Sequence, residues 1–109
     1  MTERRTLPLR RQAETFEMSF GGVNRCYAVS LGFYEDGARG EVFISGGKSG
    51  EAVEAIARDG AVLLSLALQY GAQIENMASA ITRDGQGQPS TIIGAVIDRL
   101  LPAARATND

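Results

Sequence analysis

Between Glu14 and Phe20 hydrophobic and polar residues alternate, with Phe16, Met18 and Phe20 falling on one side and Thr15, Glu17 and Ser19 on the other. A period of two is that of a strand with one buried and one wet face. Gly21-Gly22, followed by Val23-Asn24, supplies turn residues, and Tyr27, Val29, Leu31 and Phe33 then alternate again with smaller or polar neighbours. This predicts a second strand antiparallel to the first. Glu35-Asp36-Gly37-Ala38-Arg39-Gly40 is a turn cluster, and Glu41-Val42-Phe43-Ile44-Ser45 leaves it as a third strand. The first half of the chain therefore reads as a three-stranded antiparallel meander.

After Gly46-Gly47-Lys48-Ser49-Gly50 the spacing of apolar residues lengthens to threes and fours. Val53, Ile56, Gly60, Leu63, Ala67 and Tyr70 form a stripe, broadened by Ala57 and Leu64, which predicts a long core helix over about 50–70 with that stripe buried. Ser49 is placed to cap it, Glu51 and Glu54 stand near its positive end, and Gly71 is placed to end it. Gly60 in mid-helix costs about 1 kcal/mol relative to alanine, so the sheet or another helix is expected to approach closely there. Gln73 to Ile81 predicts a short helix burying Ile74, Met77, Ala78 and Ile81, and Thr82 to Pro89 reads as a polar loop. Ser90 or Thr91 can cap a last helix carrying Ile93, Val96, Ile97, Leu100 and Leu101, which Pro102 stops. Strands first and helices afterwards give an α+β fold, with the helices packed on one face of the sheet. The boundaries are a flexible basic arm over 1–11, a single domain over 12–102 and a frayed tail over 103–109.

A chain of 109 residues with 44% hydrophobic and 22% charged residues supports one globular core. A net charge of -2 provides no broad positive field, so no specific nucleic-acid partner is expected. The single cysteine, Cys26, and the lack of histidine exclude an internal disulfide and the usual transition-metal ligand sets, so no metal site is expected. Met1-Thr2-Glu3-Arg4-Arg5 is not followed by an apolar run of signal-peptide length, and no segment approaches the roughly 18–20 apolar residues of a membrane span. A cytoplasmic protein with no membrane partner is expected.

Two places carry candidate chemistry. Gly46, Gly47, Lys48, Ser49 and Gly50 join a strand to a helix, where backbone N–H groups and Lys48, with Arg58 on the helix, can hold a phosphate or carboxylate; the same glycines also suit a plain flexible connection. In the arm, Arg4, Arg5, Arg10 and Arg11 are either solvated or touch a partner's acidic surface or a phosphate, and Gln69 and Tyr70 add polar groups where the long helix closes. The carboxylates Glu35, Asp36 and Glu41 read as hairpin solvation, and Cys26 as a small packed thiol. No nucleophile and base pair is evident, so no catalytic residue is assigned.

Two stretches are more specific: Gly40-Glu41-Val42-Phe43-Ile44-Ser45-Gly46-Gly47-Lys48-Ser49-Gly50 and Ala61-Val62-Leu63-Leu64-Ser65-Leu66-Ala67-Leu68-Gln69-Tyr70-Gly71. Together with the Arg10-Arg11-Gln12 entry they resemble the TSCPD domain, found near the C-terminus of adenosylcobalamin-dependent ribonucleotide reductases and in short proteins labelled ribonucleoside-diphosphate reductase. The likeness runs from about Leu7 to Leu101. It implies a role assisting or regulating ribonucleotide reduction, with a reductase or a nucleotide as partner; adenosylcobalamin enters only through the full-length reductases. Where the family has the cysteine that gives it its name, this chain reads Gln88-Pro89-Ser90-Thr91-Ile92-Ile93-Gly94. Cys26 alone also falls short of the radical cysteine and reducing pair that the full reaction needs. The alternative is a structural or interaction module, a homodimer, without a remaining role in nucleotide reduction.

Overall fold

The computed structural model describes residues 3–22, 25–46 and 51–102. Its sheet holds β1 (Ala13–Ser19), β2 (Cys26–Phe33) and β3 (Arg39–Gly46) in the order β1-β2-β3, antiparallel throughout. Three helices follow: α1 (Ala52–Gln69), α2 (Ile74–Ala80) and α3 (Ile92–Arg99). The α+β architecture read from the residue pattern is thus the one found.

The alternation along the strands sets which face is buried. Phe16 lies opposite Val29 and Val29 opposite Ile44, while Leu31 lies opposite Val42. Tyr27, Val29, Leu31, Val42 and Ile44 are buried under the helices, with Phe16, Met18 and Phe20 packed at the margin of the same cluster. The other face carries Thr15, Ser30 and Phe43 toward solvent. A bulge between Gly32 and Phe33 shifts the register before the hairpin and leaves Phe33 half-buried.

The long helix buries one flank of the predicted stripe, Ala57 and Leu64, and turns its centre outward. Ala57, Ala61 and Leu64 are buried, with Leu68 packed beside them, whereas Ile56 is 60% and Leu63 67% exposed and Val53 and Tyr70 are also exposed. The cause is distance. Helix α1 lies against β3, where Ser65 Oγ accepts a hydrogen bond from Val42 N–H at 2.8 Å and Gln69 Nε2 donates to Gly40 O at 2.7 Å. Only small side chains permit so close an approach, so Ala57, Ala61 and Ser65 face the strand and the larger residues turn away.

The helix begins at Ala52 with Glu51 as its extended N-cap and no side-chain cap; Ser49, the expected cap, lies outside the described residues. It ends in a paired closure in which Gly71 N–H donates to Leu68 O and Ala72 N–H to Ala67 O, with Gly71 at φ +95°. Gly60 meets helix α3: a Cβ there would lie 2.6 Å from Ile93 Cγ1 and collide with Cδ1. The expected close approach is therefore made by an isoleucine of α3. Thr91 caps α3, its hydroxyl accepting from Gly94 N–H at 2.9 Å. The loop before it is ordered by Arg83, whose guanidinium donates to Asp98 at 2.7 and 2.9 Å and to Ala78 O at 2.7 Å.

Candidate functional site

Three elements converge at the C-terminal end of α1: the helix itself, the β2–β3 hairpin and the arm over 3–11. Gln69 joins them. Its side chain is buried, yet the amide nitrogen donates to Gly40 O and the amide oxygen accepts from Arg4 Nε at 2.6 Å. Its backbone carbonyl accepts from Arg5 N–H at 2.8 Å. A buried amide left without such partners would cost about 1–3 kcal/mol per group.

Tyr34 forms the second anchor. Its ring is buried, its hydroxyl donates to Arg5 O at 2.8 Å, and the Arg5 guanidinium stacks 3.8 Å from the ring centroid. Arg5 also reaches Asp36 at 3.1 Å, an exposed pair that orients more than it stabilises. The Asp36 carboxyl is held below its ordinary value, first by the Ala38 N–H that it accepts and then by Arg5.

Between these elements lies a groove of about 480 Å³. Arm and hairpin contribute Arg5, Tyr34 and Arg39, and the helical layer contributes Leu68, Tyr70 and Ile74. Among the described residues the Arg39 guanidinium has no hydrogen bond or ion pair. Since α1 presents its carboxyl end here, the helix dipole disfavours an anion, and any attraction must come from the guanidinium groups. Guanidinium at the rim with aromatic and apolar walls suits a ligand that combines an anionic group with a flat or apolar body.

The structure thus gathers Arg4, Arg5, Gln69 and Tyr70. Arg11 stands nearby, paired with Glu41 at 2.8 Å, and Arg10 lines a smaller cleft of about 330 Å³ with Gln12 and Glu35. Arg58 is elsewhere on α1, 3.8 Å from Glu54, where it lines a cleft of about 230 Å³ with Phe43 and Val62. Gly46 ends β3, and Gly47, Lys48, Ser49 and Gly50 lie outside the described residues. Cys26 is exposed, not packed, because it falls on the open face of β2 opposite Ser19. Tyr70, read from the sequence as a core residue, is 41% exposed on the groove. Sequence reasoning missed Tyr34 and Arg39. Both sit at the hairpin, and the only signal was their position on either side of Glu35-Asp36-Gly37-Ala38.

Among the described residues no group of three or more His, Cys, Asp or Glu side chains could hold a metal ion, and no helix is long and apolar enough to cross a membrane. The profile of the family described as the TSCPD domain matches residues 2–104. The chain is 40% identical over 80 residues, 73% of its length, to a vitamin B12-dependent ribonucleotide reductase of Agrobacterium fabrum. It is 37% identical over 82 residues, 75% of its length, to a protein of the same name from Bradyrhizobium diazoefficiens. In each case it spans 6% of the relative's length. No solved structure matches. The groove at the end of α1 is far smaller than a corrinoid with its side arms.

Proposed function

The chain belongs to the TSCPD domain family, and from that premise we propose that it serves ribonucleotide reduction in a regulatory or docking role, with a nucleotide held in the groove at the end of α1. The relatives that it matches are reductases by name, and it corresponds to a small part of them, which supports a place in that process without the reaction itself. The observation that carries the nucleotide is Arg39, a guanidinium without a partner among the described residues, on a groove that also presents Tyr34, Tyr70 and Ile74. Phosphate pairs with guanidinium in bidentate fashion, and a base stacks on a phenol ring.

Calorimetric and thermal-shift titrations against ribonucleotides and deoxyribonucleotides test this. A ligand at a hundred times its dissociation constant adds about 2.7 kcal/mol of stability. Stabilisation that disappears in Arg39→Ala supports the groove. Stabilisation kept in Arg39→Ala but lost in Lys48→Ala moves the site to the Gly46–Gly50 segment. No response to any nucleotide defeats the nucleotide reading and leaves the interaction module, which the exposed Ile56, Leu63 and Phe43 favour. Binding of the purified chain to a B12-dependent reductase would then be the measurement to make.

A further inference from the structure

The sheet has two edges, and they are treated differently. Phe20 N–H donates to Arg25 O, and Phe33 N–H donates to Gln12 O, each at 3.0 Å. In the continuous register between Ala13↔Gly32 and Ser19↔Cys26, the even-numbered residues of β1 therefore bond to β2. Ala13, Thr15, Glu17 and Ser19 turn their N–H and C=O groups outward, and all four are exposed. By the same alternation Gly40, Val42 and Ile44 turn theirs to the outer side of β3, but there Ser65 of α1 takes up both groups of Val42 and Gln69 the carbonyl of Gly40. Among the described residues no side chain does this for β1, whose sequence has no proline or lysine to discourage pairing.

Burial follows the same gradient. Tyr27, Val29, Val42 and Ile44 are buried on the inner face, while Phe16 and Met18, on the same face of β1, are only half-buried. Phe16 is covered in part by the Arg99 guanidinium, 4.2 Å from the ring centroid.

We propose that the open edge of β1 pairs antiparallel with β1 of a second copy of this chain, about a two-fold axis at Phe16, to give a continuous six-stranded sheet. This is the register in which the two strands overlap along their full length. It sets Thr15 opposite Glu17 and Ala13 opposite Ser19 as hydrogen-bonded pairs, with Phe16 opposite Phe16 and Glu14 opposite Met18 between them. No like charges face each other. A shift by two residues in either direction would leave two residues of each strand unpaired, and in one of them it would also put Glu17 against Glu17. The chosen register also places Glu14 of a second copy on the diagonal from Phe16, within reach of the Arg99 that covers that ring. Both halves of the argument, the self-complementary strand and the crossed Glu14 and Arg99 charges, point to a second copy in preference to an unrelated peptide.

Light scattering and sedimentation equilibrium of the full chain over a range of concentrations should show a reversible dimer. Thr15→Pro removes an outward N–H, with the exposed hydroxyl contact to Ser30, and should leave monomer. Should that variant fold poorly, charge settles the matter: Thr15→Glu places a carboxylate opposite Glu17 twice and should weaken the dimer roughly tenfold, and adding Glu17→Lys should restore it. In a Cys26→Ser background, Phe16→Cys should form an intermolecular disulfide on mild oxidation, and Met18→Cys should not. A chain monomeric at every concentration overturns the proposal. So does a dimer indifferent to both changes at Thr15, which would place the contact elsewhere.

Discussion

One hydroxyl group, that of Ser65, closes both outward backbone groups of Val42: Oγ lies 2.8 Å from the nitrogen and 3.0 Å from the oxygen. It also lies 2.8 Å from Ala61 O, so its single proton serves one of two carbonyls at a time. Four residues of helix advance about 6 Å and two residues of strand about 6.7 Å. Gln69 and Ser65 therefore fall in step with Gly40 and Val42, and α1 serves β3 as a neighbouring strand would. Ser65→Ala should cost about 1–3 kcal/mol, because Val42 N–H is left without an acceptor. Faster hydrogen exchange at Val42 than at its neighbours in β3 would locate the loss.

Gly60 offers a change of sign. Alanine in a helix is ordinarily favoured over glycine by about 1 kcal/mol, but here the new methyl would run into Ile93. Gly60→Ala should destabilise the wild-type background by about 1–3 kcal/mol. In an Ile93→Ala background the same substitution should stabilise. A double-mutant cycle by urea denaturation reads both values.

Gln69 holds the arm as well as the hairpin. Gln69→Leu should cost about 1–3 kcal/mol, since Gly40 O loses its donor and Arg4 Nε its acceptor. Trypsin should then cleave after Arg4 and Arg5 faster than in the wild type. Arg4→Ala removes an exposed side chain and opens the Gln69 amide oxygen to water, so it should cost less than Gln69→Leu.

The Arg83–Asp98 pair ties the loop over 82–89 to α3. The hydrogen bonds from Arg83 hold the Asp98 carboxyl below its ordinary 3.8, and partial burial opposes this only in part. A depressed carboxylate contributes stability above the unfolded value and loses it as pH falls through the folded one. Stability should therefore decline from about pH 5 downward. In Asp98→Asn the decline should be shallower, and the two proteins should converge at the acid end. Chemical denaturation at a series of pH values checks both slopes.

The strands were readable because one face of the sheet is wet, so Phe16, Tyr27, Val29, Val42 and Ile44 announce themselves by alternation. Helix α1 was harder. Its residues offer two stripes at helical spacing, and the bulkier one, through Ile56 and Leu63, was taken as the centre of the core, with Ala57 and Leu64 at its margin. Packing chose Ala57, Ala61 and Ser65, because a helix that bonds to a strand's backbone must lie close to it. The small residues at intervals of four were the available sign. At the groove, Arg5, Gln69 and Tyr70 were singled out in the sequence, but Tyr34 and Arg39 were not. Periodicity within an element cannot show that residue 5 meets residues 34 and 69.

The way α1 lies on β3 also limits how large any assembly of these sheets can become. A sheet open at both sides can add copies indefinitely and grow into a fibre, since each addition exposes a fresh edge. In this chain Ser65 and Gln69 stopper the β3 side with the protein's own helix. Strand addition through β1 uses up the uncovered side of each copy, so growth halts at a closed pair.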